Sequence, residues 1–252
     1  MSQETILEVK DLSKSFGGNT AVYHVDLKVS QGELSSIIGP NGAGKTTLFN
    51  LISGYHSANT GQIIFRGMDI TGLPADKIVK LGLGRSFQKT NIFLGLTVFG
   101  NVQAAAIARQ RKSFHLFSSA SKMADLNQKV MDTIQEVGLG EQQNILAHSL
   151  SHGDRKLLEI AIVLALEPHI LLLDEPTAGM SPEETERTVR LLIRLSKEMG
   201  LTILFTEHDM DIVFLISGKI RVMHQGRIIA EGTPESISMN RQVREAYLGE
   251  ED

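Results

Sequence analysis

The chain has 252 residues, of which 42% are apolar and 21% charged, with a net charge of −4 and no cysteine. That length carries one large domain or two small ones around a substantial core. Without cysteine, disulfides and thiolate metal sites are excluded, which suits a reducing compartment, and the acidic balance gives no overall electrostatic footprint for nucleic acid.

The opening "MSQETILEVKDLSK" is polar and charged and lacks the apolar core of a leader peptide. Short strands are predicted at "ETILEVK", "AVYHVDLKVS" and "GQIIFRG", separated by Gly, Asn and Asp turns. Between the last two, "ELSSIIG" reads as an apolar strand running into "PNGAGKTTLFNLISG", which turns helical after its glycines. Helical patterns follow in "TVFGNVQAAAIARQ" and "KMADLNQKVMDTIQEVG", joined by "RKSFHLFSSAS". The remaining chain alternates: helix 151–166, strand "HILLLDE", helix 182–199, strand "LTILFTEH", a short helix near 209–216, and the pair "KIRVMHQ" and "RIIAEGT". Apolar strands alternating with helices predict an α/β fold with a mostly parallel sheet covered on both faces. The most apolar stretch, residues 157–173, is broken by Glu159, Glu167, Pro168 and His169. It therefore falls short of the ~20 residues of a membrane span, so the chain is not expected to cross a membrane, which leaves docking on a membrane protein open.

"GPNGAGKT", residues 39–46, fits the G-x-x-x-x-G-K-[ST] pattern between an apolar strand and a helix. Glycines at those positions let backbone amides turn inward as an anion nest at a helix N-terminus. Lys45 is then placed to reach β- and γ-phosphates and the Thr46 hydroxyl to ligate Mg²⁺. A carboxylate for the metal and a group for the attacking water are still needed. "ILLLDEP" supplies both at the end of a buried strand: Asp174 for Mg²⁺ and Glu175 for water. His208 also ends an apolar strand, and Gln88 lies in "GRSFQKT"; taken alone, each reads equally as an ordinary polar side chain. In "SLSHGDRKLLEIA" Ser151 and Asp154 have the spacing of a helix cap, with Leu157, Leu158, Ile160 and Ala161 following at helical intervals.

The succession of Lys45, Gln88, "LSHGD", "LLLDE" and His208 resembles the ATP-binding cassette of ABC transporters over essentially the whole chain. The resemblance implies a P-loop NTPase (RecA-like) α/β core with an N-terminal antiparallel β subdomain and an inserted α-helical subdomain. It implies a single ATPase domain over 1–252, with about 1–88 and 156–252 as catalytic core and about 89–155 as the helical signature subdomain. In that family two cassettes pair head to tail, so the head of the 151–166 helix would bind phosphate in trans. Phe16 would stack on adenine, and Gly39, Asn41, Gly42, Ala43, Gly44, Lys45, Thr46 and Thr47 would cradle the phosphates. Gln88 would contact Mg²⁺ or the attacking water, and Ser151 and Gly153 the partner's γ-phosphate. Asp174 would serve the metal, Glu175 the water and His208 the γ-phosphate.

Three positions depart from the family pattern L-S-G-G-Q and S-A-L-D. His152 would crowd the phosphate, Asp154 would repel it unless turned back on its own helix, and Ser181 replaces a cross-dimer Asp. Phe16 stands for the commoner Tyr and keeps the π-face. "GRSFQKTNIFLGLTVFGNV", "LSHGD", "GMSPEE" and the tail "VREAYLGEE" look like the ATP-binding subunits of bacterial branched-chain amino acid importers, a look shared by urea and amide importers. The resemblance implies ATP and Mg²⁺ as cofactors. The implied partners are a second cassette, identical or different, a membrane permease and an extracytoplasmic solute-binding protein, with no nucleic acid. It places the chain in the cytoplasm, peripheral on the inner face of the membrane.

An ATPase clamp acting on DNA, the alternative of another class, would bring coiled-coil or DNA-binding insertions and a basic face, which the sequence lacks. Phe87, Phe93, Phe99, Phe114 and Phe117 cluster between 87 and 117, either as core of the helical subdomain or as an apolar groove for a permease helix. "ARQRK", 108–112, reads as a solvated helix end or as a basic touch on the inner membrane face.

Overall fold

The computed structural model describes residues 4–86, 92–109 and 120–248. The chain opens with β1 (Thr5–Phe16) and β2 (Asn19–Ser30), a hairpin closed by the pair Phe16 and Asn19. Strand β3 (Leu34–Ile38) leads through the glycine loop into α1 (Lys45–Ile52). Then come β4 (Thr60–Phe65), β5 (Met68–Asp69), α2 (Ala75–Lys80) and β6 (Leu83–Arg85). Helices α3 (Val98–Arg109) and α4 (Ala120–Glu136) are followed by 3-10 turns at Gly140–Gln142 and Ala147–Ser149 and by α5 (His152–Leu164). The C-terminal part contains β7 (Ile170–Asp174), α6 (Pro182–Lys197), β8 (Thr202–Thr206), α7 (Met210–Ile216), β9 (Lys219–His224) and β10 (Arg227–Gly232). Helices α8 (Pro234–Ser238) and α9 (Arg241–Leu248) end it.

Two sheets form. One is antiparallel in the order β2-β1-β4-β5; the other has the order β10-β9-β3-β8-β7-β6 and is parallel except for its β10–β9 edge pair. The central strands β3, β7 and β8 are buried along their whole length, as expected of strands covered on both faces. Alternation divides their side chains. Ile37, Ile170, Leu172 and Leu204 pack with Leu48, Phe49 and Ile52 of α1 and with the inner face of the antiparallel sheet. Ile38, Leu171, Leu173, Ile203 and Phe205 pack instead with Leu158 of α5, Leu192 of α6 and Val213 of α7. The second cluster runs on without a break into Val98 and Val102 of α3 and Leu126, Val130 and Ile134 of α4, so the helical insertion shares one core with the sheet.

The α/β expectation and the long elements agree with the sequence. Several short elements went unread, β5 and the two 3-10 turns among them. Helix α2 spans only Ala75–Lys80, too short for a period to show, and β6 is three residues set among glycines at a sheet edge. Helices α8 and α9 lie in a polar tail where no apolar run marks them. Strand β1 extends past "ETILEVK" because register shifts between Val9 and Lys14 carry the pairing through a polar stretch.

The sheet order fixes where chemistry can gather. Strand β8 lies between β3 and β7, and neighbouring strands sit about 4.8 Å apart. The loop after β3, the end of β7 and the end of β8 therefore share one edge, the carboxyl end where open α/β sheets bind ligands.

Candidate nucleotide site

The glycine loop is held open by its surroundings. Gly39, Gly42 and Gly44 have φ of +155°, +82° and +106°, and the latter two lie squarely in the region that favours glycine. A Cβ on Gly39 would stand 2.0 Å from the Met223 carbonyl oxygen, and one on Gly44 2.3 Å from that of Ala21. The loop is thus pressed against β9 and β2. Gly44 caps α1 with no side chain over the helix end, leaving that N-terminus free to receive an anion. The Lys45 ammonium is buried and donates to the carbonyls of Gly39 at 2.6 Å and Pro40 at 3.1 Å. Burial pulls its pKa below the usual lysine value, against the opposing pull of Glu175 and Asp174.

At the end of β7 the buried Asp174 accepts a hydrogen bond from the Thr206 hydroxyl at 2.7 Å, while its Oδ2 has no hydrogen-bond partner and lies 3.6 Å from the Arg85 guanidinium. A buried carboxylate oxygen with spare acceptor capacity suits Mg²⁺, which takes one or two protein oxygens and keeps several waters. Glu175 has φ +51°, a left-handed conformation rare outside glycine and found where structure over-determines a functional residue. Its N–H donates to the Thr206 carbonyl at 3.1 Å, and its carboxylate pairs with His208 Nε2 at 2.9 Å. Glu207 turns inward instead, accepting from the Thr177 N–H at 2.9 Å and hydroxyl at 2.5 Å, and so ties the loop after β7 to that after β8.

Asn41, Gly42, Ala43, Gly44, Lys45, Thr46 and Thr47 line one open cleft of about 530 Å³ together with Glu175 and His208. Asn19, Thr20, Ala21 and Gln225, which the sequence did not single out, close its sides. Phe16 lies outside that lining: its half-exposed ring stands edge-on to His56, 5.3 Å between centroids, with Lys14 over its face. Gln88 falls outside the described residues, as do Phe87, Phe114 and Phe117. Arg85 also escaped sequence reading. It is buried, donates to Asn50 at 2.6 Å and Ser53 at 2.8 Å, and burial lowers its pKa against the pull of Asp174. Its one sequence signal is a charge placed directly after an apolar stretch.

The head of α5 is built differently. Ser151 caps the helix by accepting from the Asp154 N–H at 3.0 Å. The Asp154 carboxylate points back into its own chain, taking hydrogen bonds from Arg187 of α6 and, at 3.0 Å, from Gln142. The acid is thus turned away from the helix end toward a cation of its own chain. His152 is exposed and its Nε2 lies 3.1 Å from the Ala178 carbonyl, on the loop that leads to α6. Ser181 begins α6 in a reciprocal cap with Glu184. Glu184 in turn reaches the head of α5, accepting from the Ser151 hydroxyl at 2.9 Å and the Gly153 N–H at 3.2 Å. Ser151 and Gly153 are not in the lining of the glycine-loop cleft of their own chain.

A second opening of about 840 Å³ lies between α2, α3, α5 and β6, lined by Tyr55, Val79, Leu83, Ala105, Ala108 and Ile162 among others. Phe99 packs against the core and Phe93 is exposed. Arg109, of the basic run, pairs with Glu167 at 2.6 Å. Among the described residues no helix is long and apolar enough to cross a membrane.

Residues 22–178 match the family profile described as ABC transporter, and residues 227–252 that described as branched-chain amino acid ATP-binding cassette transporter. The chain is 40% identical to the high-affinity branched-chain amino acid transport ATP-binding protein LivG of Escherichia coli (strain K12), with 99% of this chain and 100% of LivG covered. It superposes with TM-score 0.85 and 30% identity on the ADP conformation of MJ1267, an ATP-binding cassette of an ABC transporter, covering 98% and 99% of the two chains. A dimeric structure of MJ0796, a bacterial ABC transporter cassette, matches with TM-score 0.79 and 25% identity over 90% of this chain and 98% of that one.

Proposed function

Because the chain belongs to the ABC transporter family and is one of its ATPases, we propose that it powers the uptake of branched-chain amino acids through a separate permease. The observation that carries this reading is one cleft holding the glycine loop, Lys45, Glu175 and His208, with the likeness to LivG pointing to the solute. In this reading the amides of Gly42 and Gly44 and the Lys45 ammonium bind the phosphates. Thr46 and Asp174 hold Mg²⁺, which supplies charge neutralisation of the β- and γ-oxygens when bound. Glu175 orients and deprotonates the attacking water, and His208, already 2.9 Å from Glu175, meets the γ-phosphate. Gln88 contacts the water or metal and reports to the permease. Phe16 stacks on adenine from the tip of the β1–β2 hairpin.

Two cassettes close head to tail, with Ser151 and Gly153 on the γ-phosphate held by the other copy; that the MJ0796 cassette is dimeric supports the pairing of two cassettes. ATP closes the pair and hydrolysis reopens it. The apolar opening beside α2 and α3 receives a permease segment, which holds the subunit at the inner membrane face, and a solute-binding protein delivers the amino acid outside. In this scheme about 89–155 move as the helical signature subdomain against about 1–88 and 156–252. The test is Glu175→Gln in the assembled transporter, followed by ATP hydrolysis and uptake of labelled leucine. Loss of both with ATP binding retained is expected; unchanged hydrolysis would overturn the catalytic assignment, and uptake of no branched-chain amino acid by the native complex would overturn the solute.

A further inference from the structure

The head of α5 is not an open anion site. One oxygen of Glu184, from the first turn of α6, takes the Ser151 hydroxyl at 2.9 Å and the Gly153 N–H at 3.2 Å. Its other oxygen takes the Ser181 N–H at 3.0 Å. The carboxylate lies flush on the glycine: a Cβ at Gly153 would meet the Glu184 carboxyl carbon and Oε1 at 2.5 Å each. The same hydroxyl, the same amide and the same open glycine face are what an incoming phosphate would need. A carboxylate here gains from the helix dipole as a phosphate does. These hydrogen bonds, that from Ser181 first and that from Ser151 next, lower the Glu184 pKa, so the group is an anion at neutral pH.

Building on the head-to-tail pairing proposed above, we propose that Glu184 is an internal competitor for the partner's γ-phosphate, holding the phosphate-binding groups of α5 until ATP on the other cassette displaces it. A γ-phosphate carries more charge and more acceptor oxygens than one carboxylate and displaces it. ADP has no γ-phosphate to offer, so with ADP or no nucleotide the Glu184 carboxylate keeps its place and the closed pair gains nothing at this contact. Displacement leaves α5 anchored to α6, since the Asp154–Arg187 pair one turn further along is untouched. Glu184 thus sharpens the difference between ATP and ADP without touching the cleft of its own chain.

The variant is Glu184→Gln, which keeps a side chain able to close the cap with Ser181 and removes the charge. Its first readout needs no dimer. The full-length monomer is titrated with inorganic phosphate while the Gly153 amide resonance is followed by NMR, with the Gly42 amide as the P-loop reference. Phosphate should bind at Gly153 about threefold to tenfold more tightly in Glu184→Gln than in the native chain, with no change at Gly42. An equal or weaker response at Gly153, or none in either protein, overturns the proposal. The second readout is the ATP concentration for half-maximal self-association in a Glu175→Gln background, expected to fall by a similar factor. If the Gly153 difference appears but neither protein associates, the competitor role stands and the pairing of identical copies fails. Association at unchanged or higher ATP with Glu184→Gln would overturn a role for Glu184 in closure.

Discussion

Two helix N-termini in this chain are the proposed phosphate contacts, and they are built in opposite ways. At α1 the glycine loop is braced from behind by the carbonyls of Met223 and Ala21, and Lys45 is held on the loop's own carbonyls. No side chain caps that end. At α5 the end is capped by Ser151 and then covered by Glu184. The first site is completed by backbone shape; the second is satisfied by an acid of the same chain. In the proposed scheme a phosphate meets the first directly and must displace a competitor at the second. If that scheme holds, the difference lets one chain bind nucleotide alone while leaving the second contact dependent on a partner.

The largest expected effect separates chemistry from binding at the first site. Glu175→Gln should lower the hydrolysis rate by about 10²–10⁴-fold, the usual worth of a general base, while ATP affinity by calorimetry stays within a fewfold of the native value. Bracing is tested next by two glycines of the same loop. Gly44→Ala puts a Cβ 2.3 Å from the Ala21 carbonyl at φ +106°, whereas Gly42→Ala meets nothing within 4 Å at φ +82°. Backbone strain and overpacking are worth about 1–3 kcal/mol each. Gly44→Ala should therefore lose roughly 2–4 kcal/mol in urea unfolding, and Gly42→Ala about half of that. Equal losses would show that the loop is not braced.

At the second site the support lies in side chains, and smaller numbers follow. Asp154→Ala leaves Arg187 and Gln142 without their shared acceptor and should cost about 1–3 kcal/mol. Ser181→Ala removes the hydroxyl that caps α6 and should cost about 1 kcal/mol. The Ser181 variant keeps the backbone N–H that the Glu184 carboxylate accepts from, so its phosphate response at Gly153 should stay close to that of the native chain.

The same contrast explains what could be read from sequence. The α1 site was legible because its requirement is local: glycines, lysine and threonine at fixed spacing between an apolar strand and a helix. Asp174 and Glu175 were legible because a run of four apolar residues marks a buried strand and places its end. Ser151 could be read as a cap from its spacing to Asp154. What covers that cap could not. Glu184 lies 33 residues from Ser151, and only the packing of α5 beside α6 brings them together. Arg85 and Glu207 were hidden for the same reason: each is a buried charge whose partner, Asp174 or Thr177, lies far along the chain. The departures His152, Asp154 and Ser181 make intrachain bonds that single positions do not announce: His152 to the loop after β7, Asp154 to α6, and Ser181 as the cap of α6.

The smallest effect concerns pH and Lys45, where affinity and stability should move in opposite directions. Burial lowers the Lys45 pKa below 10.5 in the folded chain, with Glu175 and Asp174 pulling it back. Between the folded and the unfolded pKa the unfolded chain binds more protons at this group, so its contribution to stability rises with pH. The penalty of a buried ammonium is fully present at neutral pH and is relieved as the proton leaves. ATP binding needs that ammonium, so affinity should fall by a fewfold over the same alkaline range, beginning below 10.5. Lys45→Met isolates the group from the other lysines and tyrosines. Native stability relative to Lys45→Met should improve as pH rises toward 10.5, while the native advantage in ATP affinity shrinks. If both differences ran in the same direction, Lys45 would not be a buried cation held by the loop, and the account of the α1 site as a preformed anion nest would fail.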